Sequence, residues 1–323
     1  MSKPIALYYE MLQYQPENLT LLDRHFNVRT RPAPDSDDSR ELSEVEICFA
    51  PLGYAFDRAK MIKCPRLRAI VTNTTGVPHI DMKAAEERGV EVFSLKDEQD
   101  FLAGITPTAE HTWGVLLAVM RRTPWAHEAV LSGRWNRRPF GAQSMLSRLS
   151  LGVIGYGRLG RMVARYGRAF NMTVRFYDPY VENADGLAEM VETLDALVAV
   201  SDVVSLHVPA NESTRQLLSR DLLGKFKHGS WLVNTARGEL IDEQALLDAL
   251  ESGRIAGAAL DVLDGEFVPG FDVSRHPLTK YARTHDNLLL TPHIGGSTRD
   301  AWGETERRVI EMTIAHFSRA PRS

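Results

Sequence analysis

Short apolar runs rich in Val, Ile, Phe and Tyr recur along the first hundred residues, at 4–10, 26–32, 45–50, 67–73 and 90–95. Bounded as they are by polar or glycine-containing stretches, runs of this length predict strands. Between them, apolar residues fall at helical spacing over 56–62 and 81–88. Such alternation predicts a parallel, doubly wound sheet, because each parallel crossover carries a helix. The pattern restarts near residue 149 and predicts strands at 173–177, 202–208, 230–234, 256–262 and 287–290. A helix over 242–251 begins at Asp242, a good N-cap. An amphipathic helix is predicted over 299–317, with Gly295 and Gly296 letting the chain turn back toward the first lobe. Residues 108–122 are apolar around most of a helical circumference, so that helix is expected to be buried between domains or against a second subunit. Residues 132–141 are polar and read as an extended connection, with Trp135 an interface anchor. The expected fold class is α/β, with two doubly wound parallel-sheet lobes and a cleft between them.

Composition narrows the classes of partner. At 323 residues and 44% hydrophobic content the chain can bury two large cores. A net charge of −4 gives no basic field for nucleic acid. No apolar run reaches membrane-spanning length, and the first ten residues read as a strand rather than a signal peptide, so no membrane partner and a cytoplasmic location are expected. Cys48 and Cys64 have neither zinc nor redox spacing and are expected reduced. No His and carboxylate spacing argues for a metal.

The stretch 149–160 carries the first chemical signal: an apolar strand runs into Gly155-Tyr156-Gly157-Arg158-Leu159-Gly160 at the start of a helix. Gly155 permits a sharp turn, Gly157 lets the backbone approach a pyrophosphate, and Gly160 lets the helix pack closely on the strand. The helix N-terminus then offers free N–H groups to the phosphates. The next strand ends in Asp178, about 20 residues on, where a carboxylate would accept the ribose hydroxyls and repel a 2′-phosphate. NAD is therefore expected over NADP.

Further polar groups follow the later strands, at the edge where open α/β sheets bind ligands. The Arg237 guanidinium could hold a carboxylate through two parallel hydrogen bonds, or it could be a surface arginine paired with Glu239 or Asp242. The imidazole of His293 could pass a proton to and from a carbonyl oxygen, and Glu266 is the natural carboxylate to favour its imidazolium form. Asp261 ends an apolar strand and is expected at the sheet edge, beside a nicotinamide ring or as a cap. His207 reads as a wall of the cofactor pocket, which is also expected to take in Val208, Pro209, Thr214, Thr235, Ala236 and Gly295. In the first lobe, the loops holding Tyr54 and Thr75-Gly76-Val77 could offer amides to an anionic substrate or be turns only. Structural roles are expected for His79, His111 and His276.

From about residue 67 to 300 the chain resembles the D-isomer-specific 2-hydroxyacid dehydrogenase family, through Asn73 to Asp81, the 155–160 fingerprint, Tyr177-Asp178-Pro179, Asn234 to Gly238, Gly257 to Val262 and Thr291 to Gly296, in that order. The resemblance implies an NAD-dependent dehydrogenase interconverting a D-2-hydroxy acid and its 2-oxo acid, with Arg237 on the substrate carboxylate, His293 as acid/base, Glu266 as its partner, Gly76 and Val77 amides on the acid group, and a homodimer. It also implies a flavodoxin-like substrate domain over 1–100, completed by 296–323, and a Rossmann NAD-binding domain over 101–295. Members acting on 3-phosphoglycerate usually carry Arg-Ala-Gly-Thr-Gly where this chain has Thr72 to Gly76, so that arginine is missing. After Glu266 the family usually has proline, whereas an extended segment over 267–284 stands here. A D-3-phosphoglycerate dehydrogenase and a non-catalytic, NAD-sensing corepressor-like protein are the alternatives.

Overall fold

In the computed structural model, which describes residues 3–141, 143–182, 185–268 and 270–319, the chain separates into two compact units. One comprises Met1–Ile105 with Thr298–Ser323, the other Thr106–Ser297. Pro269 in the extended segment, and residues 320–323 of the expected 296–323 completion, lie outside the described residues.

The first unit is built on β1 (Ile5–Tyr9), β2 (Asn27–Arg31), β3 (Ile47–Phe49), β4 (Ala69–Val71) and β5 (Glu91–Phe93). All are parallel, in the order β2-β1-β3-β4-β5. This is the flavodoxin-like order, with its switch point between β1 and β3. The central strands are apolar along their whole length because helices cover both faces. One of those helices is the last, Arg299–Arg319, which lies against the helix Pro16–His25. Buried Glu306 fixes that contact, accepting the Gln15 backbone N–H and the Asn18 amide, each at 2.8 Å.

The second unit holds β6 (Ser150–Ile154), β7 (Thr173–Tyr177), β8 (Glu189–Met190), β9 (Val203–Leu206), β10 (Ser230–Asn234), β11 (Ile255–Leu260) and β12 (Leu288–Leu290). Its parallel order is β12-β11-β10-β9-β6-β7-β8, the Rossmann arrangement with a seventh strand. The order reverses between β6 and β9. Register pairs Tyr177 with Ile154, Ile154 with Leu206, Leu206 with Asn234, Asn234 with Leu260 and Leu260 with Leu290, so six strands end in one row. At the usual strand spacing that row is about 24 Å long.

The structure adds to the sequence reading at three points. The apolar helix, Pro107–Met120, packs on the second unit's own sheet through Ala109, Trp113, Leu116 and Val119. A further helix, Thr123–Leu131, precedes the 132–141 connection, which itself contains a short 3-10 turn at Arg138–Phe140. The extended segment 267–284 carries the helix Pro277–Ala282, whose Leu278 and Tyr281 are buried in the core. Among the described residues no helix is long and apolar enough to cross a membrane, and no cluster of His, Cys, Asp or Glu is suited to a metal ion.

Candidate active site

Apart from Glu266 and Thr214, which stand on loops further along, the chemical residues expected in the second unit lie just past the ends of strands. Gly155 succeeds β6, Asp178 β7, His207 β9, Thr235 to Arg237 β10, Asp261 β11 and Thr291 to His293 β12. Because the strand ends are in register, these residues line one edge of one sheet.

At the switch point, Gly155 has φ +88°, and a Cβ there would stand 2.6 Å from Val208 Cγ1 and 2.7 Å from the His207 carbonyl oxygen. Only glycine fits. A Cβ on Gly160 would enter the Gly155 carbonyl, so the helix Arg158–Ala169 rests directly on the turn. Around Gly157, by contrast, a Cβ would meet nothing within 4 Å. The glycine positions that touch protein are closed and the one facing the helix mouth is open, as a pyrophosphate cradle requires. Half-buried Arg158 and Leu159 occupy the first turn of the helix. Tyr156 contributes differently from a ligand contact: its ring is fully buried, stacked on Phe176 at 3.8 Å, and its N–H donates to Asp178 Oδ2 at 2.7 Å. Asp178 Oδ1 accepts the Tyr180 N–H at 2.9 Å, and each oxygen keeps a lone pair for a ribose hydroxyl. This donor and acceptor set fits a dinucleotide.

His207 Nε2 lies 2.7 Å from Ser205 Oγ, and burial pushes the imidazole down to about 3, so it stays neutral. Thr214 donates to the Pro209 carbonyl at 2.7 Å and closes the loop that follows. Thr235 is buried, its hydroxyl 2.7 Å from that of Thr112. Asp261 is 1% exposed, and its carboxylate accepts the N–H groups of Ile294 and Gly295 at 2.9 and 2.7 Å and the Thr291 hydroxyl at 2.5 Å. His111 Nε2 is 3.2 Å from the same carboxylate. Burial pushes this carboxyl up, but the bonds from His111, Thr291, Ile294 and Gly295 outweigh it and hold it below the ordinary range. Asp261 thus fastens the turn that presents His293.

His293 has a left-handed backbone, φ +53°, with its N–H donating to the Asp261 carbonyl at 2.8 Å. Its Nδ1 is 2.8 Å from Glu266 Oε1, leaving Nε2 as the ring nitrogen available to a reacting group. Arg237 makes no ion pair with Glu239, Asp242 or any other carboxylate among the described residues, and its Nη1 donates to the Ala236 carbonyl at 2.6 Å. A Cβ on Gly238 would run into the backbone of Leu263 and Asp264, so the Arg237 loop lies flush against the loop bearing Glu266. Sequence reasoning assigned no role to Asn234 and left His111 structural. The His111 contact with Asp261 emerges only from the fold, whereas Asn234 bonds Ala236 and Arg237 in its own turn.

In the first unit, Tyr54 follows β3 and Thr75, Gly76 and Val77 follow β4, at the carboxyl edge of that sheet. Thr74 donates to the Gly76 carbonyl at 2.6 Å, while the amides of Gly76 and Val77 donate to nothing among the described residues.

A Rossmann sheet with a glycine cradle at its switch point and a histidine–carboxylate pair on the same edge defines a doubly wound dinucleotide-binding protein. The profile of the D-isomer specific 2-hydroxyacid dehydrogenase NAD-binding domain matches residues 113–295, and the chain belongs to this family. It is 37% identical over 252 residues to a hydroxypyruvate reductase of Thermotoga maritima, covering 78% of this chain and 77% of that one. It is 35% identical over 254 residues to a D-3-phosphoglycerate dehydrogenase of Bacillus subtilis, covering 78% of this chain but 46% of that one. The chain therefore spans about half the length of such phosphoglycerate dehydrogenases. Among solved structures, a D-lactate dehydrogenase from Aquifex aeolicus complexed with NAD and lactic acid superposes with a TM-score of 0.81 at 26% identity, over 98% of this chain and 96% of that one.

Proposed function

We propose that the protein is an NAD-dependent oxidoreductase interconverting a D-2-hydroxy acid and its 2-oxo acid. The observation that carries this reading is the 2.8 Å contact between His293 Nδ1 and Glu266 Oε1, beside an arginine loop packed directly against the Glu266 loop. Bound NAD supplies the hydride acceptor at C2 and, once reduced, the donor. In reduction the imidazolium of His293 gives its Nε2 proton to the carbonyl oxygen while Glu266 holds Nδ1–H, and in oxidation Nε2 takes the proton back. The unpaired guanidinium of Arg237 takes the substrate carboxylate through a bidentate contact, which fixes the acid and draws charge from the neighbouring carbonyl. We assign cofactor binding to the second unit and substrate binding to the first, through the Gly76 and Val77 amides with Thr75 and Tyr54 beside them.

A homodimer belongs to the same reading. Trp135 is 90% exposed and stands near exposed Leu131 and Met145 in sequence, an apolar set suited to a second copy. Two buried free thiols, Cys48 and Cys64, support the reducing cytoplasm as location.

D-3-phosphoglycerate oxidation is the second reading, favoured by the identity to phosphoglycerate dehydrogenases. It would need Arg137 or Arg138, both exposed, to recognise the phosphate. The deciding experiment follows NADH oxidation over 2-oxo acids differing in size, charge and phosphorylation, with His293→Ala as control. Turnover of one class, lost in the variant, names the substrate. NADH binding without turnover of any acid would put an NAD-sensing role in its place.

A further inference from the structure

The segment that follows Glu266 has no counterpart in the catalytic scheme, yet a second histidine–carboxylate pair ties it down. Glu243 Oε2 lies 3.1 Å from His276 Nε2, with the two side chains 18% and 11% exposed. The other oxygen, Glu243 Oε1, accepts the backbone N–H of Asp264 at 2.9 Å. Glu243 opens the helix Glu243–Glu251, whose cap Asp242 accepts the Ala245 N–H at 3.0 Å, so the carboxylate is carried on a fixed element. Asp264 stands two residues before Glu266 and belongs to the backbone that Gly238 touches. His276 leads into the helix Pro277–Ala282, and the Phe271 ring packs on it at 5.8 Å. Glu243 therefore touches both ends of the stretch 264–276, through a hydrogen bond from the Asp264 N–H and a 3.1 Å contact with a His276 ring that burial biases toward its neutral form.

We propose that Glu243 and His276 are positioning residues: gripping that stretch at Asp264 and His276, they hold Glu266 at hydrogen-bond distance from His293. The proposal rests on the dehydrogenase reading above. The grip responds to pH. Burial pushes the Glu243 carboxyl up to about 7, with Asp264, Glu239 and Glu266 acting in the same direction and the Asp264 N–H bond opposing. Burial lowers the His276 imidazole, opposed by Asp264, which itself pairs with Arg215 at 3.4 Å. Above neutrality Glu243 is a carboxylate, and a charged acceptor holds the Asp264 N–H about twice as strongly as a neutral one. Below it the bond slackens.

Hydrogen–deuterium exchange over 262–268 and steady-state kinetics on the full chain test this, using wild type, Glu243→Gln, Glu243→Ala and His276→Asn. In the wild type, protection of 264–268, corrected for intrinsic exchange, should rise from about pH 6 to 8. Glu243→Gln should abolish that rise while leaving the melting temperature and NADH affinity unchanged. Glu243→Ala should speed exchange there about tenfold and lower kcat about tenfold, with KM unchanged. His276→Asn should speed exchange over 264–268 while keeping its dependence on pH, because Glu243 still titrates on the Asp264 N–H. Equal exchange and equal pH profiles in wild type and Glu243→Gln would overturn the proposal, and the Gln variant decides if the Ala variant does not fold. A wild type that reduces no 2-oxo acid would sink the dehydrogenase reading, while the exchange arm still decides the grip.

Discussion

Asn234 grips the loop of Arg237 from inside the sheet: its Nδ2 donates to the Arg237 carbonyl at 2.8 Å while its Oδ1 accepts the Ala236 N–H at 2.9 Å. The side chain is fully buried, so truncating it takes the partner from both backbone groups. Asn234→Ala should leave a carbonyl and an amide unpaired and destabilise the second unit by about 1–3 kcal/mol. If Arg237 binds the oxo acid as proposed, its guanidinium would lose its fixed base and KM for that acid should rise about tenfold with NADH affinity unchanged. Chemical denaturation and steady-state kinetics check the two halves separately.

On the proposed mechanism the Glu266 carboxylate and the His293 ring, 2.8 Å apart, act as one unit, so their substitutions should not add. His293→Ala is expected to lower kcat about a hundred- to ten-thousand-fold, as removal of a general acid does. Glu266→Gln keeps a partner for Nδ1 but loses the charge that steadies the imidazolium, and should cost about ten- to a hundredfold. The double variant should be no slower than His293→Ala. Purified variants with unchanged NADH binding and melting temperature provide the comparison.

Periodic and capped segments were legible from the chain alone. The strands at 173–177 and 230–234 fall where their apolar runs place them, and the helix after Asp242 starts at its cap. The helix Thr123–Leu131 was hidden because Arg122 turns the chain through a left-handed φ of +52°, a break that no glycine announces. The helix Pro277–Ala282 has only six residues, too few for a period to declare itself. Within the site, glycines and strand-end residues were readable because their chemistry is local. His111 and Glu243 were not, since what each does depends on a partner brought to it by folding, 150 residues away for His111 and Asp261, whereas the Asn234 bonds to Ala236 and Arg237 are local to the turn after β10.

In the proposed reading Asp178 sets the cofactor preference by its charge. Its oxygens are already placed by the Tyr156 and Tyr180 N–H groups, so the carboxylate cannot swing away from a 2′-phosphate. Asp178→Asn keeps the shape and removes the repulsion. The ratio of kcat/KM for NADPH over that for NADH should rise about tenfold or more. An unchanged ratio would place the ribose elsewhere.

Acid should weaken the fold through two histidines that are buried neutral. Burial pushes His79 down to about 4, against a backbone contact with Ala50 that acts the other way, and His207 down to about 3, and both ring nitrogens of His79 are buried with no well-formed hydrogen bond among the described residues. In the unfolded chain each would titrate near its ordinary value of about 6.5. Between those limits the unfolded state binds more protons than the folded one, so stability rises with pH there. The full contribution is present above about 6.5 and is lost as pH falls toward the folded values. At about pH 5, His79 alone should cost about 2 kcal/mol. His79→Leu replaces a buried polar ring by an apolar side chain and should flatten the fall in unfolding free energy between about pH 6.5 and 4.5. Urea unfolding across that range is the measurement, and the same slope in the variant would mean that the folded protein lets this ring take up its proton.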